Sequence, residues 1–405
     1  MKTINKYIIA AVFAALSAFS ATAQQNDEMK YRRNSIYSVL IAHNEQDFCE
    51  EIREQFSNIP VPDKYNDHNL NIRCLNISDK GKYTDDITNY FVNGNNIGSR
   101  LVARWFNRNI LTGECNLDLV KERGLYNASA FDAELAKRSA RGIAMLEDAG
   151  EDLIGNTFLI VNEVSYIDKN IKAKRWGIAL SIIGGLAGAA TGNSDYADLG
   201  SSYGQIISTL KGFSVKIHTR LYQLVWDEAT ANMFYTQFYS DKPDEAKRKA
   251  FEENRDKFKM KYIGDVESKG SNTSFLGINE DGPYLMIRKA CQRAIDENVA
   301  DLQKKYEQFR VKAPIVSVEP TITVQIGLKE GIDKDSRFEV LEAVDNNGKI
   351  EYKRVGVIRP VESRIWDNRF MASEEQAYGA EFGATTFVKE SGDDFYPGML
   401  VREID

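Results

Sequence analysis

The sequence predicts an α+β protein: an α/β domain with a mixed sheet and helices, followed by a small all-β barrel or sandwich. Three observations predict it. Apolar stripes of helical period interleave with alternating, strand-like segments over residues 30–312. After Ala313-Pro314 the helical period gives way to short alternating segments separated by Gly, Asn and Pro turns. A chain of 405 residues exceeds the usual single core, so two domains or more are expected.

Residues 1–23 read as a cleavable secretory signal peptide. Lys2 and Lys6 precede an apolar run from Tyr7 to Leu16, and Ala21-Thr22-Ala23 sets small residues before a cut at Gln24. The run is shorter than the ~20 apolar residues of a spanning helix. The expected location is therefore exported, periplasmic or outer-membrane associated. The net charge of −7 argues for a soluble surface and against nucleic acid as a partner.

The α/β domain is expected over 30–312. Residues 36–43 are a short β-rich apolar run suited to a buried strand. Asn44 offers a cap for a helix whose Phe48, Ile52 and Phe56 share a face, and Pro60-Val61-Pro62 ends it. Leu70, Ile72 and Cys74 alternate as in a half-buried strand. Residues 85–108 read as helical with an interruption at Gly94. Leu117–Val120 is a short helix or strand. A longer helix follows from about Ala130 to Leu153, with Gly155 placed to stop it.

Phe158, Ile160, Val164 and Tyr166 then alternate along a strand. From Phe213 to Val225 apolar residues alternate with Ser214, Lys216, His218 and Arg220, which places His218 on a water-facing side. Ala231–Tyr239 reads as the returning strand. Residues 243–261 form a charged helix opened by Pro243-Asp244-Glu245. Residues 283–310 form a long amphipathic helix with Ile287, Cys291, Ile295, Val299 and Leu302 on its apolar stripe, spanning roughly 40 Å at ~1.5 Å per residue.

The β-domain is expected over 313–405. Strands are predicted at Thr321–Ile326, Arg337–Val344, Glu351–Arg359, Thr385–Lys389 and Leu400–Arg402. Gly327–Gly331 forms a turn, and Asn346-Asn347-Gly348 is a strong hairpin signal.

The segment 171–212 interrupts the α/β domain. Between Arg175 and Asp195 it carries no charge, and Gly184, Gly188 and Gly192 recur every four residues. On a helix those glycines line one edge and admit close approach of another helix. Trp176, Gly184, Gly188 and Gly192 are therefore the candidate membrane or self-association contacts. A buried helical hairpin and a loop are the competing readings.

Cofactor and metal sites are not expected. Four cysteines (Cys49, Cys74, Cys115 and Cys291) form no CxxC, and only three histidines occur. A Cys49–Cys74 bridge and free buried thiols both fit the spacing. Catalytic motifs of the HExxH, Walker and strand-preceded GxGxxG kinds do not occur. Asn279-Glu280-Asp281-Gly282 has an incomplete calcium-loop spacing.

Two stretches resemble known families. Leu119-Val-Lys-Glu-Arg-Gly124 followed by Asn156-Thr-Phe-Leu-Ile-Val161 resembles the exported α/β domain of the curli secretion-channel protein and the TolB amino-terminal domain. Gly327-Leu-Lys-Glu-Gly331, Arg337–Val340, Arg354-Val-Gly356 and Pro397–Val401 are similar to the carboxy-terminal β-domain of flagellar protein T. The resemblance implies a non-catalytic cell-envelope assembly or interaction protein, outer-membrane associated and oligomeric, with envelope proteins or itself as partner. It carries over no pore and no functional residue. A secreted hydrolase with an unrecognised site is the alternative.

Overall fold

The computed structural model describes residues 34–62, 64–78, 84–126, 150–166, 214–271, 282–310, 312–346, 349–370, 372 and 383–404. The insert with Trp176, Gly184, Gly188 and Gly192 lies outside the described residues, as do the expected leader, most of the helix expected over 130–153, and residues 279–281.

Among the described residues the first sheet is mixed and six-stranded. Its central strand, β1 (Asn34–His43), is buried on both faces, as its unbroken apolar run requires. On one edge β1 pairs in parallel with two short strands in succession. β2 (Tyr65–Asp67) takes its first residues and β3 (Cys74–Ile77) its last. On the other edge it pairs in parallel with β4 (Thr157–Tyr166). The antiparallel strands β5 (Ser214–Leu224) and β6 (Met260–Ser271) complete the sheet.

Helices cover both faces. Ile36, Leu40 and Ala42 of β1 join one core with Ile52 and Phe56 of α1 (Cys49–Ser57). Intervening Tyr37, Val39 and Ile41 join the other. There they meet Leu101, Val102 and Trp105, carried on α3 (Ile97–Trp105), which follows α2 (Thr84–Asn89). The short α4 (Asp118–Tyr126) adds Val120 to that core. Phe234 of α5 (Glu228–Gln237) and Phe251 of α6 (Glu245–Glu253) complete it.

The long helix α7 (Gly282–Lys305) lays Ile287, Cys291, Ile295, Val299 and Leu302 on the first core, along the predicted stripe. It comes so close to β6 that a Cβ on Gly270 would stand 2.2 Å from the Ala290 carbonyl oxygen.

The carboxy-terminal sheet is a closed antiparallel barrel, which decides between the barrel and the sandwich that the turn pattern allowed. Its strands are β7 (Ala313–Ser317), β8 (Ile322–Val324), β9 (Arg337–Asn346), β10 (Lys349–Pro360), β11 (Thr385–Gly392) and β12 (Leu400–Ile404). They run β10-β11-β8-β7-β12-β9 around the barrel. Val324, Phe338, Val340, Ile358 and Phe387 fill the interior. β9 and β10 pair up to Asn346 and Lys349, on either side of the expected hairpin.

Four sequence expectations are corrected. Ala231–Tyr239 is not a strand: residues up to Gln237 belong to α5, and Phe238 caps its carboxyl end. The Asp227 side chain caps that helix by accepting from the Thr230 amide, and this local signal outweighs the aromatic content of the run. The charged helix expected to reach residue 261 stops at Glu253, and β6 begins at Met260. Of the strand expected through Leu70, Ile72 and Cys74, only Cys74 lies in a strand, as the first residue of β3; Leu70 and Ile72 lie in the loop after β2, and Ile72 is exposed. The helix after Asn44 begins only at Cys49, preceded by Phe48 in the left-handed region. All four cysteines are free thiols.

Candidate functional site

Polar groups gather at two places on the first sheet. The larger cluster lies on the α3-facing side, towards the carboxyl ends of β1 and β4, where open α/β sheets commonly bind ligands. Strand register assembles it. Glu163 of β4 stands opposite His218 of β5, and Arg220 of β5 stands opposite Asp265 of β6.

Glu163 is its centre. Oε1 lies 3.0 Å from His43 Nε2 and accepts from Thr84 Oγ1 at 2.9 Å, while Oε2 accepts from Arg220 Nη1 at 3.0 Å. Arg220 Nη2 reaches Asp85 Oδ1 at 2.7 Å. Burial raises the Glu163 carboxyl, but the hydrogen bonds from His43, Thr84 and Arg220 outweigh it and hold the group at about 2. The carboxylate therefore ties β1, β4, β5 and α2 together.

His218 is not simply water-facing. Its Nε2 lies 2.9 Å from Asp265 Oδ2, and Tyr262 donates to the other oxygen of the same carboxylate. Those two hydrogen bonds hold Asp265 below the ordinary carboxylate range. The carboxylate partner that the sequence did not supply for His218 comes from β6, the strand that sequence periodicity missed.

The second place lies on the opposite face. A buried chain runs from Asn298 Nδ2 to Thr219 Oγ1 (2.7 Å), from Thr219 to Asn162 Oδ1 (2.9 Å) and from Asn162 to Ser38 Oγ (3.2 Å). It ends at a cavity of about 20 Å³, room for one ordered water. Ile36, Phe56, Pro60 and Val299 wall the cavity, and Ser38, Arg73 and Asp296 supply its polar groups. It opens where β1 passes from β2 to β3, a gap in which the Ser38 amide donates to Asn69 Oδ1 instead of to a strand.

Asp296 is buried, and its Oδ2 has no hydrogen-bond partner among the described residues. Burial pushes its carboxyl up to about 7; Lys329, 3.9 Å from Oδ1, opposes the shift without cancelling it. Lys329 and Glu330 belong to the turn at 327–331, and this turn docks the barrel on α7. Glu330 pairs with Lys64 and accepts from Asn368 Nδ2 at 2.8 Å, while Lys304 donates to the Gly331 carbonyl at 2.6 Å. Gly331 takes a left-handed φ of 74° there, a conformation suited to glycine.

No group of three or more His, Cys, Asp or Glu side chains is placed to hold a metal ion among the described residues. Among the same residues no helix is long and apolar enough to cross a membrane. In architecture the chain is an α+β protein in which one long helix carries both a mixed sheet and a closed barrel. No protein-family model matches the chain, and no curated protein matches it.

Proposed function

We propose that this is a non-catalytic cell-envelope assembly or interaction protein, exported and outer-membrane associated, whose partners are envelope proteins or further copies of itself. The observation that carries the reading is the leader pattern of residues 1–23, and the state of Glu163 agrees with a structural role for the largest polar cluster of the sheet. With three donors on its carboxylate and a pKa of about 2, Glu163 is a brace and a poor proton acceptor at neutral pH. The leader pattern of residues 1–23 supports export. The resemblance to the curli-channel and TolB α/β domains and to the flagellar protein T β-domain supports an assembly role. Gly184, Gly188 and Gly192, with Trp176, supply a membrane or self-association contact.

The test is cross-linking of the chain in intact cells, followed by purification and amino-terminal sequencing. A mature terminus at Gln24 and a stoichiometric envelope protein, or a second copy, are expected. A terminus at Met1 inside the cell, or a chain with no cross-linked company, would sink the proposal.

A secreted hydrolase is the second reading, and Asp296 is what favours it. A buried carboxyl with a pKa near 7 and a free oxygen suits general acid–base work. Turnover of any substrate in a hydrolase panel that is abolished by Asp296→Asn, in a variant of unchanged fold, would favour it over assembly.

A further inference from the structure

The most exposed pair of large apolar side chains among the described residues stands at one loop tip. Ile110 is 80% exposed and Leu111 84%. Neither helical nor strand periodicity accounts for them, and neither touches the polar clusters of the sheet.

The loop that carries them is tightly built. Asn109 Oδ1 accepts from the backbone amides of Leu111 (2.9 Å) and Thr112 (3.2 Å). The Asn109 amide donates to the Glu114 carbonyl, and the Gly113 amide to the Asn109 carbonyl, each at 2.8 Å. Buried Arg108 donates to the Gly113 carbonyl at 2.6 Å and lies over the Phe251 ring at 4.3 Å. Outside the loop, the Asp244 amide holds the Thr112 carbonyl. Gly113 adopts a φ of 76°, and a Cβ there would stand 2.8 Å from Arg248 Cβ. Isolated exposed aliphatic residues are ordinary. Two adjacent ones on a tip fastened at both ends form a preordered apolar wedge.

We infer that the Ile110-Leu111 tip inserts into the interfacial region of a lipid bilayer. Three features select a bilayer over a protein. Two side chains offer far less than the roughly 800 Å² per partner that a stable protein interface buries. The residues next to the wedge, Asn109 and Thr112, turn the chain back at once, so the protrusion is convex and narrow. A bilayer demands no matching surface, and a fixed loop loses little conformational freedom on entering it. Asn109 and Thr112 on either side are uncharged, while Glu114, Asp244 and Arg248 stand further round the loop, so the attraction at the tip itself is apolar. Two aliphatic side chains alone give weak, reversible association, below the ~10⁴ M⁻¹ of a single myristoyl chain. This inference adds a contact separate from the glycine-lined insert. It rests on the envelope reading only for bringing the chain near a membrane.

The experiment uses the full chain carrying Cys74→Ser and Leu111→Cys, labelled at position 111 with an environment-sensitive fluorophore. The three remaining native thiols are buried. The probe is a phosphatidylcholine vesicle, with and without lipids spin-labelled in the acyl chain. A blue shift on adding vesicles, quenching by the spin-labelled lipid and indifference to high salt are expected. An Ile110→Ser/Leu111→Ser chain with an unchanged circular dichroism spectrum is expected to lose at least about tenfold in vesicle partitioning.

A label that stays water-exposed on vesicle-bound protein overturns the inference. So does a double variant that partitions as well as the wild type. A label shielded without vesicles, in a concentration-dependent way, also overturns it and assigns the tip to a second copy. Because the label reports position 111 alone, none of these outcomes bears on the cross-linked partner that tests the envelope reading.

Discussion

Nη1 of Arg123 lies 2.9 Å from Nδ1 of His68 and donates to it, in a contact closed to solvent. This assigns the histidine tautomer. Nδ1 accepts, so Nε2 carries the hydrogen and donates to the Leu101 carbonyl at 3.1 Å. The same guanidinium reaches Ser35 Oγ at 2.9 Å and stacks 4.5 Å over Trp105, whose indole N–H donates to Thr157 Oγ1. Arg123 belongs to the Glu122-Arg123-Gly124 stretch of α4. Its place here is structural, at the start of β1.

Arg123→Met is expected to destabilise the protein by about 3 kcal/mol, because it strands buried acceptors on His68 and Ser35. Urea unfolding followed by circular dichroism measures the loss. A change under about 0.5 kcal/mol, the size of an ordinary surface substitution, contradicts the assigned role.

His68 sets a pH dependence. Burial first, and Arg123 second, lower its pKa well below the ordinary value, so the folded state refuses a proton that the unfolded state accepts. As pH falls below about 6.5, this site removes stability at a slope of about 1.4 kcal/mol per pH unit. Urea midpoints of the wild type and of His68→Asn, taken from pH 7 downward, should diverge in slope. Parallel curves would place the histidine in contact with water.

Asp296 acts in the opposite sense. Its folded pKa of about 7 stands above the unfolded value, so the folded protein takes up a proton first as pH falls. Stability from this site is gained from about pH 7 down to about pH 4. At pH 8 the buried charge is a cost that Lys329 only partly offsets. Asp296→Asn should therefore stabilise the protein at pH 8 by about 2 kcal/mol and do little at pH 5. Thermal unfolding at the two pH values checks this.

Glu163→Gln is expected to cost about 3 kcal/mol near neutral pH, since Arg220 and His43 then lose their shared carboxylate. The wild-type contribution is lost as pH falls from the ordinary carboxylate range towards about 2, and the variant should not show that loss. Acid titration followed by near-ultraviolet circular dichroism distinguishes the two chains.

Thiol chemistry gives an independent check on the core. Cys49, Cys115 and Cys291 are buried, and burial pushes Cys291 up to about 12. Half-buried Cys74 is raised to about 11, again chiefly by burial. A thiol reagent at neutral pH should label Cys74 slowly and the other three only after unfolding. All four should label in denaturant without reductant; two missing thiols would mean a bridge.

Much of the architecture was legible because burial imprints a local period. The stripe through Ile287, Cys291, Ile295 and Val299 could serve only a helix with one buried side, and α7 uses it that way. The alternation from Val215 to Leu221 could serve only a strand. Spaced Gly, Asn and Pro turns announced a small β-domain, barrel or sandwich, and strand pairing closed it into a barrel. β6 escaped because it is an edge strand. Its polar residues break the pattern, and Lys269 and Glu267 resemble the charges of a solvated helix. α5 was misread because Phe234, Tyr235 and Phe238 favour strands, while the deciding term was a cap from Asp227.

The candidate site was almost illegible. His218 stood out as a polar residue on a strand face, but its partner Asp265 lies 47 residues away and its neighbour Glu163 lies on another strand. The sequence by itself determined which segments would bury a face, and with that the helices, most strands and the small β-domain, because burial acts residue by residue along the chain. Only the tertiary structure decided that Glu163, Arg220, His43 and Thr84 would share one carboxylate, and that Asp296 would be buried under the barrel. Those outcomes depend on strand register and on how α7 docks, and distances between remote residues leave no local period to read.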